Sequence, residues 1–150
     1  TPVRFCENET VNIILSSFAA KAKQSGVVLT VDAKLPAVLP FSDTELCSVF
    51  SNGLENAVKA AAEVCDPASR VVSVMTKVHR EKLLISIENP FIGQVLVKDG
   101  HPASEREGHG FGTRSIAAIA DFHGGQAIFD AENGVFTLKI LLPFGENGAE

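Results

Sequence analysis

Three polar side chains between residues 52 and 59 have the types and the spacing to bind a metal ion together with phosphate groups. Asn52, Asn56 and Lys59 stand at i, i+4 and i+7, and these positions share one face of a helix. Amide oxygens are ligands for a hard cation and its waters, and an ammonium group could meet the phosphates that such a cation bridges. An ordinary solvated helix face explains the same spacing, although asparagine is a weak helix former.

A glycine-rich segment, Gly108-His109-Gly110-Phe111-Gly112, runs into a predicted helix. Glycines let the backbone approach a phosphate closely, and the start of a helix offers unpaired N–H groups at its positive end. The GxGxG spacing matches neither the dinucleotide fingerprint nor the P-loop. A turn or the hinge of a lid is the alternative interpretation.

Asn89 stands at the end of an apolar strand, and its parity with Leu83, Ile85 and Ile87 places it on the buried side of the sheet. A buried amide must be paired. It either caps a neighbouring loop or forms hydrogen bonds to a ligand such as a purine edge.

Composition restricts the remaining possibilities. The chain has 150 residues, is 45% hydrophobic and carries a formal net charge of -5, which suits one globular domain and disfavours a non-specific nucleic-acid binder. No apolar run is long enough to span a membrane. Cys6, Cys47 and Cys65 form no CxxC pair, so we expect reduced cysteines in a cytosolic domain rather than a disulfide framework or a zinc site.

Hydrophobic periodicity predicts an α/β two-layer sandwich, with about three helices packed on one face of a mixed, roughly five-stranded sheet. After Pro90, roughly eighteen residues without periodicity indicate a functional lid or disorder. Ser42 or Asp43 is expected to cap the second helix. The predicted helices cover Val11 to Gln24, Thr44 to about Val64, and Thr113 to Phe122, and the predicted strands lie near residues 27–31 and at Arg70 to Val78, Leu83 to Asn89, Ala127 to Phe129 and Val135 to Leu142.

In this order and separation, the motifs resemble the ATP-binding domain of the GHKL superfamily, which includes gyrase, the heat-shock chaperone, histidine kinases and MutL. The resemblance spans nearly the whole chain and implies a Bergerat-type fold. Residues 51–61 are similar to the N box, residues 85–90 occupy the place of the adenine-binding G1 box, and residues 108–113 are similar to the G2 box. Hydrolytic branches have Glu at the first N-box position, whereas Asn52 stands here, as in histidine kinases.

The resemblance implies ATP and Mg²⁺ as cofactors and assigns a role to each motif residue. Asn56 would bind Mg²⁺, Asn52 would support the metal and the phosphates, and Lys59 would neutralise phosphate charge. Asn89 would replace the adenine-reading Asp with a neutral amide. The triphosphate would contact the G2-box segment, which comprises Gly108, His109, Gly110, Phe111, Gly112 and Thr113.

The same resemblance implies a catalytic domain at residues 8–144, preceded by a linker at residues 1–7 and followed by a flexible tail at residues 145–150. The chain would donate the γ-phosphoryl group of ATP to a histidine on a separate, upstream dimerisation domain, and through it serve a response regulator. Alone, it should be a soluble monomer that does not autophosphorylate. The full-length protein would be anchored in the membrane, with this domain in the cytoplasm.

Two finer expectations concern the subfamily and the lid segment. The opening Phe5-Cys6-Glu7-Asn8 and the pair Asn89-Pro90 look most like the peptide quorum-sensing (Agr-type) kinases. In the lid segment, Lys98, His101 and Arg106 are candidates for γ-phosphate contacts, with a solvated loop as the alternative.

Two competing functions stay open. A degenerate domain could bind a partner protein without productive nucleotide binding, and Asn89 is the feature that favours it. A true ATPase or a serine-directed anti-sigma kinase of the same superfamily would need an acidic base where Asn52 stands.

Overall fold

A computed structural model describes residues 3–93, 96–98, 101–103 and 111–145. Within these ranges, three helices accompany a five-stranded sheet of order β1-β2-β3-β7-β6 and a separate two-stranded hairpin, β4-β5. The helices are α1 (Glu9–Gln24), α2 (Asp43–Ala62) and α3 (Phe111–Phe122). The strands are β1 (Val28–Lys34), β2 (Val71–Val78), β3 (Lys82–Pro90), β4 (Leu96–Lys98), β5 (His101–Ala103), β6 (Gln126–Glu132) and β7 (Val135–Pro143).

Helix α1 begins two residues earlier than the periodicity predicts, because Asn8 caps it. The Asn8 side chain accepts a hydrogen bond from the Val11 amide at 3.0 Å and donates another to the Ala37 carbonyl at 3.3 Å. Asn8 itself is buried, and an unpaired amide there would be costly. The cap therefore also ties α1 to the loop before α2.

Helix α2 begins with a complete capping box. The Ser42 hydroxyl accepts from the Glu45 amide at 3.0 Å, and the Glu45 carboxylate accepts from the Ser42 amide at 3.0 Å. These bonds satisfy two backbone donors that a helix start otherwise leaves unpaired. The sequence prediction of a cap at Ser42 or Asp43 is therefore resolved in favour of Ser42.

The buried face of α2 lies close to the sheet at Gly53. A methyl group on Gly53 would lie 2.8 Å from Cδ1 of Ile87 and 3.2 Å from Cδ2 of Leu138. The absence of a side chain at this position lets the helix axis approach β3 and β7. The helix face that carries Asn52 and Asn56 is thereby held at a fixed height above the sheet.

The sheet is mixed, as predicted. β1 pairs with β2 in parallel, and β2-β3, β3-β7 and β6-β7 are antiparallel pairs. The β6-β7 hairpin turns at Asn133 and Gly134, which have φ values of 54° and 76°. The β2-β3 hairpin turns at Arg80 and Glu81, again with positive φ at both central residues, as a two-residue hairpin with the right-handed strand twist requires.

All three helices lie on one side of the five-stranded sheet within the described chain, so the predicted two-layer sandwich is confirmed. Along β3, Leu83, Ile85, Ile87 and Asn89 alternate inward and are buried, as the sequence parity predicts. The opposite face of β3 carries partly exposed residues. No helix in the described ranges is long and apolar enough to cross a membrane.

The stretch after Pro90 is more regular than its sequence suggests, because β4 and β5 pair there with Lys98 opposite His101. Helix α3 also begins at Phe111, two residues before the predicted start at Thr113. Its end agrees with the prediction. Gly124 follows with a φ of 72°, and the Gly125 amide donates to the Ala120 carbonyl at 2.7 Å, which closes the last turn.

Candidate functional site

Asn52, Asn56 and Lys59 all lie on α2, which confirms the helix on which their spacing argument rests. Asn52 and Asn56 are half-buried and Lys59 is exposed. Because α2 advances about 1.5 Å per residue, the three side chains extend over about 10 Å of one helix face. An ion bound at the asparagines and an anion reaching toward the lysine would fit that length.

The Asn52 side chain is oriented by its own helix. Its amide nitrogen donates to the Ser48 hydroxyl at 3.2 Å. Such an i, i−4 bond fixes the amide so that its carbonyl oxygen, Oδ1, faces away from Ser48. A fixed acceptor can orient a ligand or the water of a bound ion without first losing conformational freedom.

The start of α3 lies directly against this oxygen. A methyl group on Gly112 would come within 3.0 Å of Oδ1 of Asn52. Residues 52 and 112 are far apart in sequence, so the fold brings the end of the predicted G2 box onto the first asparagine of the predicted N box. The positive end of α3 and the amide face of α2 therefore meet at one place.

The Asn56 side chain, predicted to bind a cation, keeps its amide oxygen available. Its side chain has no hydrogen-bond partner among the residues that the structure describes. A half-buried amide without such a partner is stabilised when it binds a ligand or a hydrated ion. Within the described ranges no three His, Cys, Asp or Glu side chains group into a metal site.

Asn89 is buried, with 3% of its surface exposed, and its amide nitrogen donates to the Pro90 carbonyl at 2.9 Å. That bond leaves Oδ1 as the acceptor for any further partner. Asn89 follows Ile87 by one inward position, about 6.6 Å along β3. Since Ile87 contacts the helix at Gly53, Asn89 lies on the same side of the sheet as the α2 asparagines.

The remaining predicted contacts are described only in part. Gly108, His109, Gly110 and Arg106 lie outside the described residues. Phe111 forms the first residue of α3, and Thr113 is buried with 4% exposure. For Lys98 and His101 the structure describes the strand backbone alone, so their contact with a γ-phosphate stays a prediction.

Sequence reasoning missed a hydrogen-bonded pair at the far end of α3, between Glu45 and His123. Burial would raise the pKa of the Glu45 carboxyl, but the hydrogen bonds from the His123 side chain and the Ser42 backbone outweigh it and lower that pKa below its ordinary value. The Ser42-x-x-Glu45 pattern reveals the capping role of Glu45. Nothing in the sequence reveals its partner 78 residues away.

The domain is a helical layer on a mixed sheet, in which an asparagine-bearing helix meets a glycine at the start of α3. A profile of the GHKL domain matches residues 42–143. The chain belongs to the GHKL domain family.

Solved structures agree with this fold. The nucleotide-free catalytic domain of histidine kinase ThkA superimposes with a TM-score of 0.69 at 16% identity, covering 90% of this chain and 92% of that domain. Histidine kinase AdeS of Acinetobacter baumannii gives a TM-score of 0.63 at 15% identity, covering 91% of this chain and 64% of AdeS. At such identities the likeness shows the fold alone. No curated protein sequence matches the chain.

Proposed function

We propose that this domain binds Mg-ATP and donates the γ-phosphoryl group to a histidine on a separate domain of a two-component sensor histidine kinase. The observation that carries the proposal is the contact between Gly112 and Asn52. It joins the start of a helix, which favours anions, to a helix face whose amide oxygens suit a cation. Mg-ATP presents both charges on neighbouring atoms.

The residues present fit this ligand. Asn56, with no competing partner in the described chain, would hold Mg²⁺ through its amide oxygen. Lys59, one turn further on the exposed side of α2, would face the phosphates. When bound, Mg²⁺ would supply charge neutralisation, and the protein would supply the positions of the phosphates.

Transfer to a side chain is favoured over hydrolysis because of the group at position 52. Activating water requires a base, and a neutral amide bonded to Ser48 cannot accept a proton at neutral pH. Phosphoryl transfer to a nucleophile brought by another domain depends mainly on positioning and charge stabilisation. Asn52 is suited to this positioning of the phosphoryl group but not to the activation of water.

The acceptor is proposed to come from outside this domain. His79 belongs to the β2-β3 turn, His101 lies in β5 and His123 is engaged with Glu45, so none of the described histidines lies within a helix. We therefore propose an upstream helical dimerisation domain as the phosphoacceptor and a response regulator as its further partner. A membrane-anchored full-length protein, a cytoplasmic location for this domain and the Agr-type subfamily belong to the same proposal.

Thermal unfolding of the wild type and Asn56→Ala, each with and without Mg-ATP, tests the ligand. At about one hundred times its Kd, a ligand should stabilise the native state by ~2.7 kcal/mol, or roughly 5–10 °C for a domain of this size. Asn56→Ala should lose that shift. The matched control is Glu55→Ala on the exposed side of α2, which should keep it, and EDTA should diminish the shift in the wild type.

The phosphoryl step needs its own experiment. The domain is incubated with γ-labelled ATP, alone and with a helical domain that carries the phosphoacceptor histidine. We expect acid-labile label on the added domain and none on this chain alone. Label on this chain alone, or release of free phosphate without transfer, would contradict the kinase assignment.

A second candidate function is a degenerate domain that binds a partner protein without binding nucleotide, and the neutral Asn89 favours it. Asn89→Asp separates the candidates. Aspartate cannot donate to the Pro90 carbonyl, so we expect a loss of about 1–3 kcal/mol in unfolding free energy. If the site reads a purine amine, Mg-ATP affinity should nevertheless rise, whereas a degenerate site should show no binding in either protein. Asn133→Asp in the exposed β6-β7 turn is the control.

A further inference from the structure

The Glu45–His123 pair connects two helices at the end opposite to the candidate site. Glu45 lies in the first turn of α2, and His123 directly follows the last residue of α3. Nε2 of His123 and Oε2 of Glu45 form the hydrogen-bonded pair, and the side chains are 18% and 25% exposed, respectively. The His123 ring packs edge-to-face on Phe41, with 4.9 Å between ring centroids.

The two oxygens of the Glu45 carboxylate serve different helices. Oε1 accepts hydrogen bonds from the Ser42 amide at 3.0 Å and from the Ser42 hydroxyl at 3.1 Å, which closes the α2 cap. Oε2 accepts from His123. The cap fixes the carboxylate, so the end of α3 is bound to a rigid point rather than to a flexible surface side chain.

The other end of α3 meets the same face of α2. Gly112 lies against Asn52, and Asn52 follows Glu45 by seven residues, which is about two turns and about 10 Å along the helix. These contacts, one at each end of α3, add to the packing of its buried residues Ile116 and Ala120 in setting the position of α3 along α2. Loss of the His123 contact would remove the restraint at one end of α3, and we expect a small shift of the helix that moves Gly112 relative to Asn52.

We propose that Glu45 and His123 are positioning residues that hold the start of α3 against Asn52 and thereby set nucleotide affinity from the far end of the helix. The inference rests on the proposed function for its effect on nucleotide. Its structural part, the dependence of the Gly112–Asn52 contact on His123, can be measured without nucleotide. The pair is partly exposed, so its contribution to global stability is expected to be small.

The test compares His123→Phe, which keeps a ring beside Phe41 and removes the hydrogen bond, with His123→Gln, which keeps a donor. NMR of the ligand-free protein reports the backbone amide of Gly112 and the side-chain amide of Asn52. In His123→Phe both signals should move, and the Kd for Mg-ATP should rise about 3- to 10-fold. His123→Gln should recover most of both effects, and Glu63→Gln, at the exposed far end of α2, should change neither.

The outcomes separate this inference from the proposed function. Unchanged Gly112 and Asn52 signals in His123→Phe would overturn the inference even if the wild type binds Mg-ATP. Moved signals in a protein that binds no Mg-ATP would support the positioning role and contradict the proposed function. Equal effects in His123→Gln and His123→Phe would also overturn the inference, because ring packing would then be responsible.

A second pair of variants covers the case in which His123→Phe does not fold. Glu45→Met removes both carboxylate oxygens, whereas Ser42→Ala removes the Ser42 hydroxyl and leaves the carboxylate that His123 contacts. The positioning role predicts much larger movement of the Gly112 and Asn52 signals in Glu45→Met than in Ser42→Ala, because the Ser42 amide still holds Oε1 in the second variant. Equal movement in both variants would mean that the cap is the cause, and the inference would be wrong.

Discussion

Helices α2 and α3 carry the two halves of the candidate site, but they are held in different ways. Helix α2 is 20 residues long, has a complete capping box and packs on α1, α3 and the sheet. Helix α3 has 12 residues and begins inside a glycine-rich segment. It packs on α2, β6 and β7 through buried residues such as Ile116 and Ala120, and its two ends contact Asn52 and Glu45.

We therefore distinguish α2, the fixed component of the site, from α3, whose start must be brought against α2 by tertiary contacts. The amide groups of α2 are set by its own backbone and by its closeness to the sheet at Gly53. The start of α3 reaches those groups only through tertiary contacts. Substitutions that act on α3 should therefore change ligand affinity more than those that act on the α2 cap.

The largest expected effect is a loss of stability on substitution of Gly125, just after the C-terminal end of α3. A methyl group on Gly125 would come within 1.9 Å of the Leu141 carbonyl oxygen. Because that oxygen belongs to the backbone, no side-chain rotation can relieve the clash, and the backbone itself would have to move. Gly125→Ala should lower the unfolding free energy by on the order of 3–5 kcal/mol or prevent folding, as judged by urea denaturation. The control is Gly124→Ala, which has open space but a φ of 72° and should cost only about 1–2 kcal/mol. Equal costs would mean that α3 and β7 can separate easily.

Gly112→Ala should weaken Mg-ATP binding without lowering the stability of the domain. Alanine is a better helix former than glycine by about 1 kcal/mol, so the melting temperature should stay level or rise. The new methyl group would press on Oδ1 of Asn52, 3.0 Å away, and Mg-ATP should bind about tenfold more weakly. Calorimetric titration and thermal unfolding measure the two effects. Unchanged affinity would show that the contact between the two helices is not part of the site.

Ser42→Ala tests the fixed component. Loss of an N-cap hydroxyl should lower the unfolding free energy by about 1 kcal/mol, measured by urea denaturation. Mg-ATP affinity should remain within about twofold, because α2 is also held by the sheet. Thr44→Ala, an exposed change in the same turn, is the control and should have little effect. A loss of affinity as large as that of Gly112→Ala would remove the distinction between the helices.

The smallest expected effect is the pH dependence of the Glu45 pair. Because the folded pKa of Glu45 is lowered, the stabilisation is present above the unfolded pKa of about 4.3 and is lost as the pH falls through the folded pKa. Glu45→Gln should abolish that part of the acid dependence, about 1 kcal/mol or less for a partly exposed pair. Urea denaturation between neutral and acidic pH measures it, with Glu63→Gln as the control. An identical acid profile in the wild type and Glu45→Gln would contradict the assignment.

Local patterns in the sequence determined much of the fold because they depend on neighbours along the chain. The predicted cap at Ser42 or Asp43 placed the start of α2, and the two predicted strands at Ala127 to Phe129 and Val135 to Leu142 placed the last hairpin. Strand alternation placed Asn89 on the buried side of β3. The i, i+4 spacing places Asn52 and Asn56 on one helix face without reference to any tertiary contact.

Tertiary structure alone decided what meets across the chain. The contact of Gly112 with Asn52 and the bond between Glu45 and His123 have no local signature. Each depends on packing between segments that are distant in sequence. Spacing along one helix can therefore predict which residues share a face, but only the packed sheet and helices determine what lies opposite that face.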